Sequence, residues 1–283
     1  MPGALTRLYC IFGNPVRHSL SPRMHNAAFS ALGMDAVYLA FEPSSIKDAL
    51  AAMRALPIHG ASVTIPYKTP VLPLLDSVDE LAARIGSVNT VVNRNGSLHG
   101  ANTDGRGALT ALERAGFSAR DKSVLVVGNG GSARAVAFTL LAAGARVLVA
   151  GRNESRIAAL SAELAASYPG VAHRTLNSLD RALMKDIDAI VNTTPVGMGS
   201  DTHDTPIDAS LLASAHLVMD IVYAPPMTRL LREARDAGCT IVQGTDMLLY
   251  QGVLQFELWT GMSAPVEIMR ATIIDAMPHA VPE

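Results

Sequence analysis

Residues 123–153 read SVLVVGNGGSARAVAFTLLAAGARVLVAGRN. An apolar run leads into a turn with glycine at positions 128, 130 and 131, a segment of helical periodicity follows, and a second apolar run ends at Gly151. This order predicts a strand, a tight turn, a helix and a second strand. Glycine in such a turn lets a pyrophosphate approach the backbone, and the start of the helix offers free N–H groups. The stretch therefore predicts a dinucleotide-binding α/β fold.

The turn and the end of the second strand supply candidate cofactor-binding residues. Ala133 stands at the third glycine position of the G-x-G-x-x-G/A pattern, which permits alanine. No carboxylate follows the second strand to bind the 2′-hydroxyl of NAD; Arg152 stands there, with Arg156 one helical turn further on. Because arginine matches a 2′-phosphate, we expect NADP, with NAD as the alternative; Glu154 leaves open that these arginines are only solvated. The cofactor candidates in this stretch are Gly128, Asn129, Gly130, Gly131, Ser132, Ala133, Arg152 and Arg156.

Strands and helices also alternate along the rest of the chain. Beyond the opening stretch, βα units with continuous apolar strands predict a parallel, doubly wound sheet, which is a Rossmann domain. An N-terminal α/β domain with a mixed sheet precedes it; strands are expected at 8–13, 36–42 and 61–65 and a hairpin at Asn95-Gly96. The final helices, 247–261 and 265–277, are expected to pack back on the first domain. The expected domains are 1–104 with 245–283, and 105–244.

Composition argues against several classes of function. Of the 283 residues 49% are hydrophobic, but no apolar run approaches the roughly 20 residues of a membrane span, and the first residues lack a secretory pattern. Net charge is −2 without a basic run, so no nucleic acid partner is expected. The scattered histidines and the two cysteines, Cys10 and Cys239, predict no metal site and no disulfide framework, and a cytoplasmic location is expected.

Polar side chains stand at the ends of predicted elements in the first domain. In ASVTIPYKTP, residues 61–70, a lysine follows an apolar strand between two prolines, which would fix where the cation points. Taken singly these residues have ordinary roles, such as a helix cap for Ser21 or a turn for Asn89. The candidates are Ser19, Ser21, Thr64, Lys68, Asn89 and Asp104.

Two further polar residues lie in apolar surroundings. Gln251 is expected on one face of the penultimate helix with Met247, Leu254 and Leu258, where a buried amide needs a polar partner, either a ligand or the backbone. Tyr223 ends an apolar strand, at the edge of the sheet where α/β proteins bind ligands.

The motifs as a set, in order and spacing, resemble the shikimate dehydrogenase family over nearly the whole chain. The first domain contains GNPVRHSLSPRMHN, SVTIPYK, GSVNTVV and GANTDG. The second contains VVGNGGSARA, NTTPVGM and DIVYAPPMTRLL, and GTDMLLYQGVLQFELWTG follows. The resemblance implies a substrate domain and a Rossmann domain that reduce 3-dehydroshikimate to shikimate with NADPH, on the route to aromatic amino acids.

The resemblance also implies roles for single residues. Lys68 and Asp104 correspond to the family's catalytic pair. An ammonium can stabilise and then protonate the oxygen that becomes negative during hydride transfer, although which member of the pair moves the proton stays open. Ser19 and Ser21 would bind the substrate carboxylate with help from Tyr223, and the ring hydroxyls or carboxylate would contact Thr64, Asn89 and Gln251. Further cofactor contacts would come from Thr194, Val222 and Gly244.

The chain departs from the family pattern at a few positions. Ser62 stands where many members have Asn, Asn129 replaces an alanine in the glycine turn, and Arg152 is flanked by Gly151 and Asn153. The ending also looks like the quinate/shikimate branch. The alternative is therefore a quinate/shikimate or aminoshikimate dehydrogenase with relaxed use of NAD and NADP, and a third hypothesis is a non-catalytic NADP-binding module. A monomer and a homodimer both fit the sequence.

Overall fold

The computed structural model describes residues 2–199 and 202–277. The strands in this part of the chain are β1 Arg7–Phe12, β2 Ala36–Phe41, β3 Ile58–Val63, β4 Ser77–Val78, β5 Thr90–Arg94, β6 Ser97–Ala101, β7 Ser123–Val127, β8 Arg146–Gly151, β9 Ala172–Thr175, β10 Ala189–Asn192, β11 Leu217–Asp220 and β12 Thr240–Val242. The α-helices are α1 Ser21–Ala31, α2 Ile46–Ala55, α3 Glu80–Ile85, α4 Asp104–Arg114, α5 Gly131–Ala142, α6 Glu154–Ala165, α7 Arg181–Met184, α8 Arg229–Asp236, α9 Gly244–Thr260 and α10 Val266–Ala276.

The described chain forms two compact units. The first contains the residues up to Thr103 together with those from Gln251 onward, and the second is Asp104–Tyr250. These units place Asp104 in the second unit, where it begins α4, which packs on α5. They also place residues 245–250, in the first part of α9, in the second unit. The domain bounds drawn from the sequence stay a prediction.

The first unit is built on a six-stranded mixed sheet in the order β2-β1-β3-β5-β6-β4. β1 is parallel to β2 and β3, whereas β5 is antiparallel to β3 and β6. The expected hairpin joins β5 to β6 through Asn95 and Gly96, whose φ angles of 55° and 89° suit an Asn-Gly turn. α10 packs on α1 of this unit, so the final helix returns to the first domain as predicted.

The second unit is a six-stranded, fully parallel sheet in the order β12-β11-β10-β7-β8-β9. Its central strands are almost wholly buried, as the continuous apolar runs predicted. The doubly wound fold class is therefore confirmed. No described helix is long and apolar enough to cross a membrane.

An aromatic cluster fixes the part of α9 that belongs to the first unit, residues 251–260. The cluster consists of Tyr9, Phe29, Tyr38, Phe256 and Trp259. The Trp259 ring centroid lies 5.6 Å from that of Tyr9, and its Nε1–H donates to the Val91 carbonyl at 3.0 Å. A Cβ on Gly60 would enter the indole ring, so only glycine leaves room for it.

Two local predictions were wrong. The strand expected at 61–65 is β3, which begins at Ile58 and ends at Val63; the Ile65 side chain is 72% exposed and unsuited to a buried sheet. Ser21 was expected to cap α1, but the N-cap is Leu20 and the Ser21 N–H donates to the Ser19 hydroxyl at 3.2 Å. The Ser19 hydroxyl thus accepts the N–H of the first helical residue, whereas a capping side chain would accept from the second or third, and α1 has no side-chain cap bond.

Candidate active site

The glycine turn of the second unit lies between β7 and α5. Gly128 has a φ of +127°, and a Cβ there would overlap the hydroxyl oxygen of Thr193, which itself donates to the Val127 carbonyl at 2.6 Å. A Cβ on Gly130 would meet nothing within 4 Å. Gly130 is also the N-cap of α5 and supplies no side-chain cap, so the helix start is open to an anion. The turn thus has the space and the donors that a pyrophosphate requires.

The turn opens onto a cavity of about 600 Å³ in the second unit. Of the predicted cofactor residues, the structure brings six to its wall: Gly128, Asn129, Gly130, Arg152, Arg156 and Thr194. Gly131, Ser132 and Ala133 form the first turn of α5 beside it without lining it. Val222 and Gly244 do not line the cavity; they adjoin each other, and a Cβ on Gly244 would press on the Val222 carbonyl at 2.5 Å.

The basic side of this cavity matches an anionic ligand. Arg152 and Arg156 are both exposed and both line it, whereas Glu154 does not. Asn153 caps α6 by accepting the Arg156 N–H at 3.0 Å, so this departure from the family pattern has a structural role. The guanidinium groups of Arg152, just after β8, and Arg156, in the first turn of α6, are suited to the phosphate of NADP. The residues present therefore fit this cofactor.

A polar cluster around Asn89 lies in the first unit, and Asn89 is 2% exposed. Its Nδ2 donates to the Thr103 hydroxyl at 2.9 Å and to Gln251 Oε1 at 3.4 Å. Its Oδ1 accepts the Thr103 N–H at 2.8 Å and the Thr90 hydroxyl at 2.7 Å. The structure therefore brings Asn89 and Gln251 together, as expected for two residues that hold one ligand.

The backbone of Lys68 is fixed beside this cluster. Its carbonyl accepts the N–H of Val88 at 2.8 Å, one residue before Asn89. Upstream, the Thr64 N–H donates to the Phe12 carbonyl at 2.9 Å, which ties the start of this loop to β1. The side chains of Lys68 and Thr64 are half-buried, which suits groups that contact both protein and ligand.

The remaining site candidates lie at element ends. Ser19 is half-buried and Ser21 is 4% exposed in the first turn of α1. Asp104, 5% exposed, is the first residue of α4 in the second unit. Tyr223 is half-buried just after β11, and burial raises the pKa of its phenol above the ordinary value. It therefore stays protonated at neutral pH and can donate a hydrogen bond.

The sequence did not single out several residues that support the Asn89 cluster. Gln255, 1% exposed, donates from Nε2 to the Asn89 carbonyl at 3.1 Å and accepts the Ser62 hydroxyl at 2.7 Å. Ser62 in turn accepts the Tyr38 hydroxyl at 2.6 Å. The spacing of four from Gln251 was the one signal that could have found Gln255. The apolar face expected around Gln251 was wrong at its far end, where Leu258 is 45% exposed.

Among the described residues no group of three or more His, Cys, Asp or Glu side chains is arranged to hold a metal ion.

A parallel sheet with an open glycine turn and paired arginines defines a dinucleotide-binding α/β protein, and comparisons with known proteins narrow that class. Family models match three stretches: the shikimate dehydrogenase substrate binding domain at residues 11–91, shikimate / quinate 5-dehydrogenase at 110–199, and the shikimate 5'-dehydrogenase C-terminal domain at 244–274. The chain belongs to the shikimate dehydrogenase family.

Relatives support this over nearly the whole length. The protein of Moorella thermoacetica named shikimate dehydrogenase (NADP(+)) is 46% identical over 279 residues, which cover 97% of this chain and 95% of the relative. The protein of the same name from Methanosarcina acetivorans is also 46% identical, with 96% and 99% covered.

Solved structures are also similar over nearly the whole length of the chain. A shikimate dehydrogenase in complex with NADP+ has a TM-score of 0.94 at 37% identity and covers 98% of both chains. The Thermus thermophilus enzyme in complex with NADP(H) and shikimate has a TM-score of 0.87 at 36% identity, with 96% of this chain and 100% of that chain covered. A quinate dehydrogenase from Corynebacterium glutamicum in complex with NAD has a TM-score of 0.89 at 35% identity, with 95% and 99% covered.

Proposed function

We propose that this chain catalyses the reversible, NADP-dependent reduction of 3-dehydroshikimate to shikimate. The observation that carries the proposal is the likeness over nearly the full length to proteins named shikimate dehydrogenase (NADP(+)). The open glycine turn and the arginine-lined cavity support it independently, since they provide a site for a phosphorylated dinucleotide.

NADP is the cofactor that we propose for the second unit. Gly128, Gly130 and the start of α5 would hold the pyrophosphate, and Arg152 with Arg156 would hold the 2′-phosphate. When bound, the reduced cofactor supplies the hydride. Val222, Gly244 and Thr194 complete the proposed set of cofactor contacts. The site lies in the second unit, so cofactor binding can be measured separately from substrate turnover.

The chain's own residues would bind the substrate and manage its proton. Lys68, held by its backbone beside Asn89, stabilises the negative charge that develops on the substrate oxygen, and with Asp104 it forms the pair through which that oxygen gains or loses a proton. Ser19, Ser21 and Tyr223 bind the substrate carboxylate. Ser19 and Tyr223 are half-buried and Ser21 is nearly buried, so water competes little for these donors.

The ring hydroxyls are the proposed ligands of the Asn89 cluster. Asn89 and Gln251 are nearly buried. Thr64 is half-buried and follows Val63, whose N–H donates to the Asn89 carbonyl at 2.8 Å. The amides of Asn89 and Gln251 are held in place by hydrogen bonds within the cluster, so a ring hydroxyl must reach them at a fixed position. The cluster therefore favours a substrate with hydroxyls at fixed ring positions.

The decisive experiment crosses shikimate and quinate with NADP+ and NAD+ and determines kcat/KM for the four pairs from the absorbance of the reduced cofactor. Shikimate with NADP+ is expected to exceed shikimate with NAD+ by about tenfold or more, since one charge-assisted phosphate contact contributes about 1.5–3 kcal/mol, and to exceed both quinate pairs. Comparable rates with quinate or with NAD+ would favour the quinate/shikimate alternative. Turnover of none of the pairs would contradict the proposal.

Two further proposals concern the location and the oligomeric state of the protein. We propose that the enzyme works in the cytoplasm, on the strength of its two unpaired, buried cysteines, Cys10 and Cys239. A monomer and a homodimer remain the two proposed states, and sedimentation equilibrium distinguishes them by mass.

A further inference from the structure

A buried carboxylate stands at the end of β11 in the second unit. Asp220 is 0% exposed, and burial raises the pKa of its carboxyl above the ordinary value. Its Oδ1 accepts the Val222 N–H at 3.1 Å and the Asn192 Nδ2–H at 2.9 Å. Its Oδ2 accepts the Thr228 hydroxyl at 2.7 Å. Burying such a group is costly unless its bonds are made, so these three donors hold it in one orientation.

Through Asn192 the carboxylate reaches the wall of the cofactor cavity. Because the Asn192 amide donates to Asp220 with its nitrogen, its oxygen is left to accept from Thr194. That oxygen accepts both the Thr194 N–H at 3.0 Å and the Thr194 hydroxyl at 2.7 Å. Thr194 lines the cavity beside the glycine turn. The orientation of the amide, and with it the position of Thr194, is therefore fixed by the carboxylate.

The same carboxylate holds the segment that follows β11. Its bond to the Val222 N–H sets the backbone just before Tyr223. The carboxylate also accepts the hydroxyl proton of Thr228. The oxygen of that hydroxyl caps α8 by accepting the Leu231 N–H at 3.3 Å. One carboxylate thus joins the loops after β10 and β11 to the start of α8.

We propose that Asp220 is a positioning residue that sets cofactor affinity by holding Thr194 and Val222 in place. The inference rests on the proposed function for its link to catalysis, but not for its link to cofactor binding. It assigns to Asp220 no contact with the substrate or the cofactor. Its effect is expected on the dissociation constant of NADPH and on KM for NADP+.

The first variant is Asp220→Ala, which removes every acceptor at once. Its dissociation constant for NADPH, measured by isothermal titration calorimetry, is expected to rise about tenfold, the equivalent of one or two neutral hydrogen bonds. Asp220→Asn should restore most of the affinity. Its carbonyl oxygen can still accept from Val222 and Asn192, while its NH2 donates to the Thr228 oxygen.

The matched control is Asp188→Ala at the opposite end of β10. Asp188 accepts the Ser123 N–H at 2.8 Å and pairs with Lys122 at 2.8 Å, so its loss also removes hydrogen bonds from this sheet. The control should lower thermal stability and leave the dissociation constant of NADPH unchanged. If Asp220→Ala does not fold, Asn192→Ala cuts the same link to Thr194 and should weaken NADPH binding equally.

The outcomes test the positioning role of Asp220 separately from the proposed function. Unchanged NADPH affinity in folded Asp220→Ala or in Asn192→Ala overturns the positioning role, whatever the wild-type enzyme turns over. Equal weakening by Asp188→Ala also overturns it, because the effect would then be general destabilisation of the sheet. If wild-type protein binds NADPH but oxidises neither shikimate nor quinate, the proposed function fails while the positioning role can still be scored.

Discussion

A buried histidine makes the first unit sensitive to mild acid. His25 is 0% exposed and stacks on Tyr38 with ring centroids 4.6 Å apart. Neither of its ring nitrogens has a hydrogen-bond partner of normal geometry within the part of the chain that the structure describes. Burial lowers the pKa of His25 from 6.5 to about 3, with the Gln255 side chain acting weakly in the opposite direction. The folded protein therefore keeps this ring neutral.

The sign of the effect follows from proton linkage. The unfolded chain takes up a proton at this site as the pH falls through 6.5, whereas the folded chain does not do so until about pH 3. Stability is therefore fully present above 6.5 and is lost as the pH falls. Between about pH 7.5 and about pH 5.5 the expected loss is about 1.4 kcal/mol, and any folded-state pKa below about 4.5 gives nearly the same figure.

Trp259 provides the assay for this prediction. It is the only tryptophan in the sequence, and its ring centroid lies 5.2 Å from that of His25, so its fluorescence follows the unfolding of the first unit. Urea unfolding at about pH 7.5 and about pH 5.5 should show the loss of about 1.4 kcal/mol in wild-type protein and little of it in His25→Leu.

The control for the His25 experiment is an exposed histidine on the same loop-helix segment. His18→Leu should keep the full pH dependence of the wild-type protein, because His18 is exposed. Glu42 and Asp76 have pKa values lowered by their hydrogen bonds to the Val16 N–H and to Arg54, so their losses come at lower pH. An equal pH dependence in His25→Leu and wild type would refute the reasoning.

Three further predictions concern turnover and the cofactor. Lys68→Ala should lower kcat by about 10²–10⁴-fold, the usual contribution of general acid–base catalysis, in steady-state assays with shikimate and NADP+; unchanged kcat would remove Lys68 from the chemistry. Arg152→Ser should raise KM for NADP+ by about tenfold or more and leave KM for NAD+ unchanged, because only NADP has a 2′-phosphate; an equal rise for both would contradict this role. Gly130→Ala should fold with nearly wild-type thermal stability but bind NADPH weakly, because its methyl group enters the open space proposed for the pyrophosphate. Gly128→Ala should also lower the melting temperature, because its Cβ overlaps Thr193. Normal NADPH affinity in Gly130→Ala would refute the assignment of that space to the pyrophosphate.

The sequence predicted the elements whose pattern is local. The glycine turn and the apolar strands of the parallel sheet can be recognised within about 30 residues, because turn chemistry and side-chain periodicity act at short range. The Asn95-Gly96 hairpin is another local case, since both residues suit positive φ. β9 and the two-residue β4 were missed, because short strands with polar residues carry almost no periodicity.

The supporting residues of the site were not predictable in the same way. Gln255 bonds to Asn89 from a position 166 residues away, and nothing local to either residue predicts that meeting. Asp220 likewise reaches Asn192 across 28 residues, because neighbouring parallel strands end at the same edge of the sheet. Local reasoning also misplaced the cap of α1, because Ser21 is the first residue of the helix and the N-cap is Leu20, which offers no capping side chain.

The order of the units along the chain has a consequence for protein synthesis. The second unit is one continuous segment, Asp104–Tyr250, and can fold as soon as it leaves the ribosome. The first unit lacks Gln255 and Trp259 until the last part of the chain is made. Until then these two residues cannot bond to Ser62 and the Val91 carbonyl or pack on the aromatic side chains. The half that is translated first is therefore completed last. A nascent chain that stalls before α9 would expose this surface, which gives chaperones a defined interval in which to act.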